Sequence, residues 1–287
     1  MAQDFSPELV QQLSRNSTPY DDPLAKIDWS ALDCAQYWLP QEAISLAGVP
    51  AFGAFDEQVR MRLSQYEFIN FIDAGIWLEG LFMTRIAAAA RHTRADLTSL
   101  KYRLHELREE AGHSLMFVQV MEKSGLPLAA PAPRPRLGNL FGRYAPMEST
   151  PFWLAILLGE DIPDRLNRYI RRHAQGVCPA IVQVSTAHLI DEARHIAYAR
   201  ELLEGRIARM PTWRRQALAW LLRPLLDEFL TLFYFPQPAI YELAGLYPGK
   251  YWARQARTCP RRRRFVRDCI NPTLSMLQQR GIPLEWR

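Results

Sequence analysis

The stretch HLIDEARH, residues 188 to 195, sets two histidines, a glutamate, an aspartate and an arginine inside an otherwise apolar run. His188, Glu192 and His195 stand at i, i+4 and i+7, which on an α-helix form one stripe. Their side chains therefore aim at the same spot. Imidazoles and a carboxylate converging on one point are a transition-metal ligand set.

An earlier segment, EEAGHSLMF, repeats the idea: Glu110 and His113 are again Glu-x-x-His, one turn apart. The two segments agree position by position, each with an acid directly before the ligand-type glutamate, Glu109 in one and Asp191 in the other. A lone Glu-x-x-His carries little information, but two on apolar helices carry much more. Two further glutamates, Glu79 in IWLEGLF and Glu160 in LLGED, are embedded in strongly apolar sequence. A carboxylate there is costly to bury unless it is paired or binds metal. One glutamate from each of two helices, with one Glu-x-x-His from each of two others, is the arrangement of ferritin-like di-iron and di-manganese carboxylate bundles. Four carboxylates balance two divalent cations. His113 and His195 add neutral nitrogen donors, and His188 adds a third.

Each residue also has a plainer reading. His188 as a core histidine would bond a carbonyl, and Glu79 would pair with Arg85 or Arg194. Oxygen-rich sites with a few imidazoles suit iron or manganese. The zinc motif His-Glu-x-x-His needs a glutamate after the first histidine, and Leu189 stands there instead. A metal-bound imidazole donates its other N–H to a carboxylate. Asp191 is thus expected to reach His113, and Glu109 to reach His195, while Arg194 is expected to pair with a buried acid.

The surrounding chain supports an all-α fold. Residues 56 to 91 contain no proline and show helical apolar spacing, predicting a helix of about 50 Å. A second helix is expected to start at a capping box of Thr93 and Asp96 and to end at Gly125. Residues 126 to 148, rich in Pro, Gly and Arg, read as a crossover loop. Thr150-Pro151 opens a third helix and Pro179 a fourth, running to Gly205. A fifth spans Trp213 to Phe233. Residues 1 to 28 read as an extended arm, Trp29 to Trp38 as a short helix, and 234 to 287 as a helical tail. One domain is expected, its metal-bearing bundle spanning about 56 to 205: a ferritin-like four-helix bundle core with additional N- and C-terminal helices.

Composition narrows the function. The 287 residues are 48% hydrophobic and 23% charged with a net charge of +5, ordinary for a globular chain. No apolar run reaches transmembrane length, since Ile76 to Ala90 is broken by Glu79 and Arg85. The N-terminus lacks a signal-peptide pattern and the four cysteines form no CxxC pair, which together predict the cytoplasm. Arg261 to Arg264 read as a solvated face or a dimer rim. Without interleaved aromatics they do not predict nucleic-acid binding. Trp77 and Trp153 read as core, and Pro163 is expected to kink the third helix beside the metals. Flavin, nicotinamide and P-loop fingerprints are absent.

On Glu79, Glu110-x-x-His113, Glu160 and His188-x3-Glu192-x2-His195 the sequence resembles the p-aminobenzoate N-oxygenase family of ferritin-like di-iron oxygenases. The third histidine of the HxxxExxH helix discriminates best. The resemblance implies two iron ions, with Glu110 and Glu192 bridging or chelating, Glu79 and Glu160 flanking, and His188 adding a nitrogen to one iron. It implies O₂ as co-substrate and N-oxygenation of a small, aryl amine in natural-product biosynthesis. It also implies electrons from an external donor of the ferredoxin or reductase type, and a homodimer.

Overall fold

The structure is a computed structural model that describes residues 7–91, 96–130 and 134–286. In chain order its helices are α1 (Pro7–Ser17), α2 (Pro50–Gly53), α3 (Glu57–Ala90), α4 (Leu97–Ser124), α5 (Arg136–Tyr144), α6 (Thr150–Arg172), α7 (Pro179–Ala208), α8 (Thr212–Tyr234), α9 (Pro238–Leu243), α10 (Gly249–Thr258) and α11 (Pro260–Gln279). Among the described residues there is no strand, only an isolated parallel bridge between Tyr37 and Val177. The fold is therefore all-helical, as the spacing predicts. No described helix is long and apolar enough to cross a membrane.

The four helices that carry the candidate metal ligands are α3, α4, α6 and α7, with α3 packed on α4 and α6 on α7. Asp96 caps α4 by accepting from the backbone N–H groups of Thr98 and Ser99. The other half of the expected capping box, Thr93, lies outside the described residues. Gly125 closes α4 at φ 61°, a left-handed geometry that favours glycine. Ser149 caps α6, with Pro151 in its first turn. Between the helices Trp153, Phe82, Phe152, Tyr102 and Tyr198 fill the core, all fully buried. Trp153 is thus core, as expected, and Trp77 packs edge-on to Phe229.

Several peripheral segments differ from the sequence reading. The expected extended arm holds a helix, α1, which buries Val10 and Leu13 against α4 and α7. Two apolar residues three apart suffice for one turn of docking, yet they barely register among Gln, Ser, Arg and Asn. The expected helix from Trp29 to Trp38 is a single 3-10 turn, Trp29–Ala31. The side chains of Asp28 and Asp33 accept from the N–H groups of Ser30 and Ala35, local bonds that compete with a helix. Within the expected crossover loop lies α5. Glu228 of α8 accepts from its first N–H groups, at Leu137 and Gly138. Arg85 donates to the carbonyls of Arg143 and Ala145 at its other end.

The C-terminal tail is helical and packs back on the bundle, α11 against α6. In the arginine run, Arg262 is buried rather than solvated. It donates to the backbone carbonyls of Ala43 and Tyr234 and lies near the rings of Tyr234, Phe235 and Phe265. A guanidinium enclosed by carbonyls and aromatic faces ties the tail to the core.

Candidate metal centre

The helical stripe read from HLIDEARH points into the bundle. Glu79 comes from α3, Glu110 and His113 from α4, Glu160 from α6, and His188, Glu192 and His195 from α7. All seven are buried. Their donor atoms form three overlapping groups, each within 4.8 Å: Glu79, His113, His188 and Glu192; Glu110, Glu192 and His195; and Glu79, Glu110 and Glu160. Glu79, Glu110 and Glu192 each belong to two groups, as bridging or shared carboxylates would. His113 and His195 fall in different groups, one at each end of the cluster.

The inward nitrogens are defined. His113 Nδ1 lies 3.1 Å from Glu110 Oε2 and 3.5 Å from Glu192 Oε1. His195 Nδ1 lies 3.0 Å from Glu110 Oε1 and 3.5 Å from Glu192 Oε2. The outward nitrogens meet the two acids in a crossed pattern. His113 Nε2 on α4 is 3.2 Å from Asp191 Oδ2 on α7, and His195 Nε2 on α7 is 2.9 Å from Glu109 Oε2 on α4. Arg194 joins both acids, its Nη2 lying 2.9 Å from Glu109 Oε1 and 2.5 Å from Asp191 Oδ1. Such carboxylates fix the ring orientation and leave Nδ1 as the ligating atom. Glu79 pairs with neither arginine suggested by its plainer reading. Arg85 holds α5 and Arg194 holds the two acids.

His188 joins the His113 end of the cluster through Nε2, 3.4 Å from Glu79 Oε1. Its ring centroid is 4.5 Å from that of His113 and 5.3 Å from Phe117. Behind it, the buried Asn167 amide nitrogen lies 3.1 Å from Nδ1. Ligation through Nε2 requires that amide rotated by half a turn, so that its oxygen accepts from Nδ1–H. Asn167 lies nearly five turns into α6, at about 3.6 residues per turn, and carried no sequence signal, because an amide marks no chemistry by itself.

Burial and like charge separate the carboxylates. Burial, with Glu110 beside it, holds Glu79 well above the usual carboxylate range. Burial and Glu192 do the same to Glu160. Burial would also raise Glu110, but His195 and His113 outweigh it and hold it well below the usual range. Glu192 is likewise lowered, by His195 and His188, against burial and Glu110. Burial opposes charge on His113, yet hydrogen bonds to Asp191 and Glu110 raise it to about 9. His195 is raised by Glu110 and Glu192 in spite of burial. His188 is lowered by burial to about 4. Without metal, protons on Glu79, Glu160, His113 and His195 therefore neutralise the cluster.

The residues fit two metal ions. Glu79 Oε2, Glu160 Oε1 and both Glu192 oxygens are buried without a hydrogen-bond partner, and Glu110 Oε1 and His195 Nδ1, 3.0 Å apart, are not aligned for a hydrogen bond. Buried polar atoms without partners are costly, and metal ions would satisfy these. Glu106, one turn before Glu110, is a further buried carboxylate whose oxygens find no hydrogen bond; burial raises it to about 8. It sits at a helical spacing from Glu109 and Glu110 but stood outside the Glu-x-x-His pattern.

The two sides of the cluster differ. Beside Glu79, Glu160 and His188 a void of about 10 Å³ is walled by Phe71, Leu78, Phe117, Gly159, Pro163 and Phe233. Pro163 lies inside α6 and leaves the Gly159 carbonyl without its helical donor, while the Ile162 carbonyl accepts from Tyr234 Oη at 2.8 Å. Behind His113 and His195 lies a polar cleft of about 460 Å³, lined by Tyr20, Lys26, Glu109, Asp191 and Arg194 among others. The C-terminus of α1 reaches this side, where Arg194 Nε donates to Ser17 Oγ at 3.0 Å.

A helical bundle with four carboxylates and three imidazoles turned inward defines a ferritin-like protein with a site consistent with two metal ions. The family model of P-aminobenzoate N-oxygenase AurF matches residues 3–281, and the chain belongs to that family. It is also similar to uncharacterized proteins of Mycobacterium tuberculosis and Mycobacterium bovis, 24% identical over 210 residues. Those matches cover 70% of this chain, which spans 60% of the length of these relatives.

Proposed function

We propose that this chain is a non-haem di-iron monooxygenase that N-oxygenates a small amine, an aryl amine above all. The observation that supports it most is the third histidine, His188, sharing one ligand group with His113, Glu79 and Glu192 inside a bundle of this family. The oxygen-rich donor set favours iron, with manganese as the alternative. Iron, when bound, supplies the reduction of O₂. For the first product, amine, O₂, two electrons and two protons give hydroxylamine and water. The electrons come from an external donor of the ferredoxin or reductase type.

The chain's own residues prepare this chemistry. Asp191 and Glu109 hold the outer N–H of His113 and His195, so both rings present Nδ1. Arg194 keeps those two acids charged and in place. Phe71, Phe117 and Phe233 exclude water from the opposite face, where the substrate nitrogen would arrive. We place the protein in natural-product biosynthesis in the cytoplasm, acting as a homodimer.

The test is metal analysis after expression with added iron, followed by O₂ exposure of the reduced protein with candidate aryl amines and product analysis. About two irons per chain, with hydroxylamine, nitroso or nitro products, support the reading. Carbon-oxidised products alone would replace it with C–H hydroxylation on the same scaffold. Iron binding without any oxidation would indicate a non-catalytic metal protein.

A further inference from the structure

Three cavities between the surface and the metal centre share walls. An open groove of about 720 Å³ lies between α5 and α8, with Leu140, Tyr144, Trp220 and Leu221 on its sides. It shares Phe141 and Leu225 with an inner cavity of about 30 Å³. That cavity shares Leu78 with the void of about 10 Å³ at Glu79, Glu160 and His188. We propose that this series is the substrate's route to the metals, closed by Leu78, Phe141 and Leu225, and that it selects a neutral amine with an apolar body. The proposal rests on the di-metal reading given above.

The walls set the selectivity. The inner cavity is lined by residues such as Leu81, Phe152, Ala155 and Ile156, and no titratable group borders it. A cation or anion in it would lose its hydration with nothing in return. A neutral aromatic or aliphatic body loses only water contact, which is favourable. The groove itself is open and mostly apolar, with Arg223 and Ser149 its polar lining residues: Trp220 is 78% exposed and Tyr144 65%. Exposed apolar surface of this kind marks a binding site.

The plug is built from separable parts. Phe141 is carried by the nine-residue α5, which lies flush on α3 through two glycines. A Cβ at Gly138 would stand 2.7 Å from Trp77 Cη2, and one at Gly142 3.0 Å from Leu81 Cδ2. Leu78 lies over Gly159, where a Cβ would stand 3.1 Å from Leu78 Cδ1. The glycine thus leaves Leu78 the room it occupies, one residue before Glu160. The closed void is too small for an amine, so Leu78 must change rotamer for substrate to arrive. Continuity of these walls with the metal void makes a small amine the occupant of the groove, rather than a second copy of the chain.

The test uses the full-length, metal-free protein and two probes, para-butylaniline and its permanently charged trimethylammonium analogue. Ala155→Leu narrows the inner cavity and Phe141→Ala widens its outer end. Ala155→Leu should weaken para-butylaniline at least about tenfold, and Phe141→Ala should speed its association about tenfold. The charged analogue should bind the unaltered protein at least about tenfold more weakly. Unchanged constants for both variants, each with a normal circular dichroism melt, overturn the route. Equal binding of the two probes overturns the selectivity. Dimers that a Trp220→Glu variant converts to monomers, with the groove closed to the probe, also overturn the route. Iron uptake, measured separately on the same variants, should be unchanged, so failure of the route and failure of the metal reading give different signals.

Discussion

The two walls of the metal cluster solve opposite problems. On the α4–α7 side, charge is met with charge: His113 and His195 are backed by Asp191 and Glu109, and both acids by Arg194. On the α3–α6 side the carboxylates Glu79 and Glu160 face aromatic rings and a void of about 10 Å³. One wall fixes ligands and balances charge, and the other keeps water out where a substrate would stand. On the proposed di-metal reading, the polar wall would hold the ions and the apolar wall would shape the reaction, so mutations on the two should fail in different ways.

The largest effect should come from removing the residue common to both ends. Glu192→Ala should drop bound iron below one per chain and abolish amine oxidation, read by metal analysis and product assay. The pH response should be nearly as large. Metal must displace the protons carried by Glu79, Glu160, His113 and His195, so affinity rises with pH and proton release accompanies binding. With His113 raised to about 9, iron affinity should keep climbing from pH 6 to about 9. A calorimetric titration in buffers of different ionisation enthalpy would count the protons; none released would contradict this electrostatic picture.

Next come two substitutions that separate the walls. Phe117→Ala on the apolar side should cost about 3–5 kcal/mol in denaturant unfolding while iron content stays near two. Asp191→Asn and Glu109→Gln on the polar side should do the reverse, weakening metal binding about 10–100-fold at a smaller cost in unfolding, about 1–3 kcal/mol from their lost pairing with Arg194. If Phe117→Ala loses the metal and Asp191→Asn does not, the division of labour is wrong. The smallest effect belongs to Arg194→Gln. Its side chain is 18% exposed, so solvent screens part of its pairing, and about 1–3 kcal/mol of stability should be lost.

What could be read from sequence follows from the same contrast. The polar wall was legible because its chemistry is local. Glu-x-x-His recurs at helical spacing, and the acids before Glu110 and Glu192 land on the crossed partners that one turn of helix predicts. The apolar wall was not, because Phe71, Phe117 and Phe233 come from three helices and look like any core residues. Asn167 was missed for a related reason: only the fold brings its amide behind His188. The short α1 and α5 were read as arm and loop because their helical stripes are two to four residues wide and set among polar, Gly and Pro residues. Tertiary contacts, with α4 and α7 in one case and α3 and α8 in the other, decide such segments.

The most direct test is anomalous diffraction at the iron edge from crystals grown with excess ferrous salt. The account requires two peaks about 3.5–4 Å apart. One should lie among Glu79, His113 and His188, the other beside His195 and Glu110, with Glu192 reaching both. A single peak, none, or Glu192 and His188 turned away from the metal would contradict it.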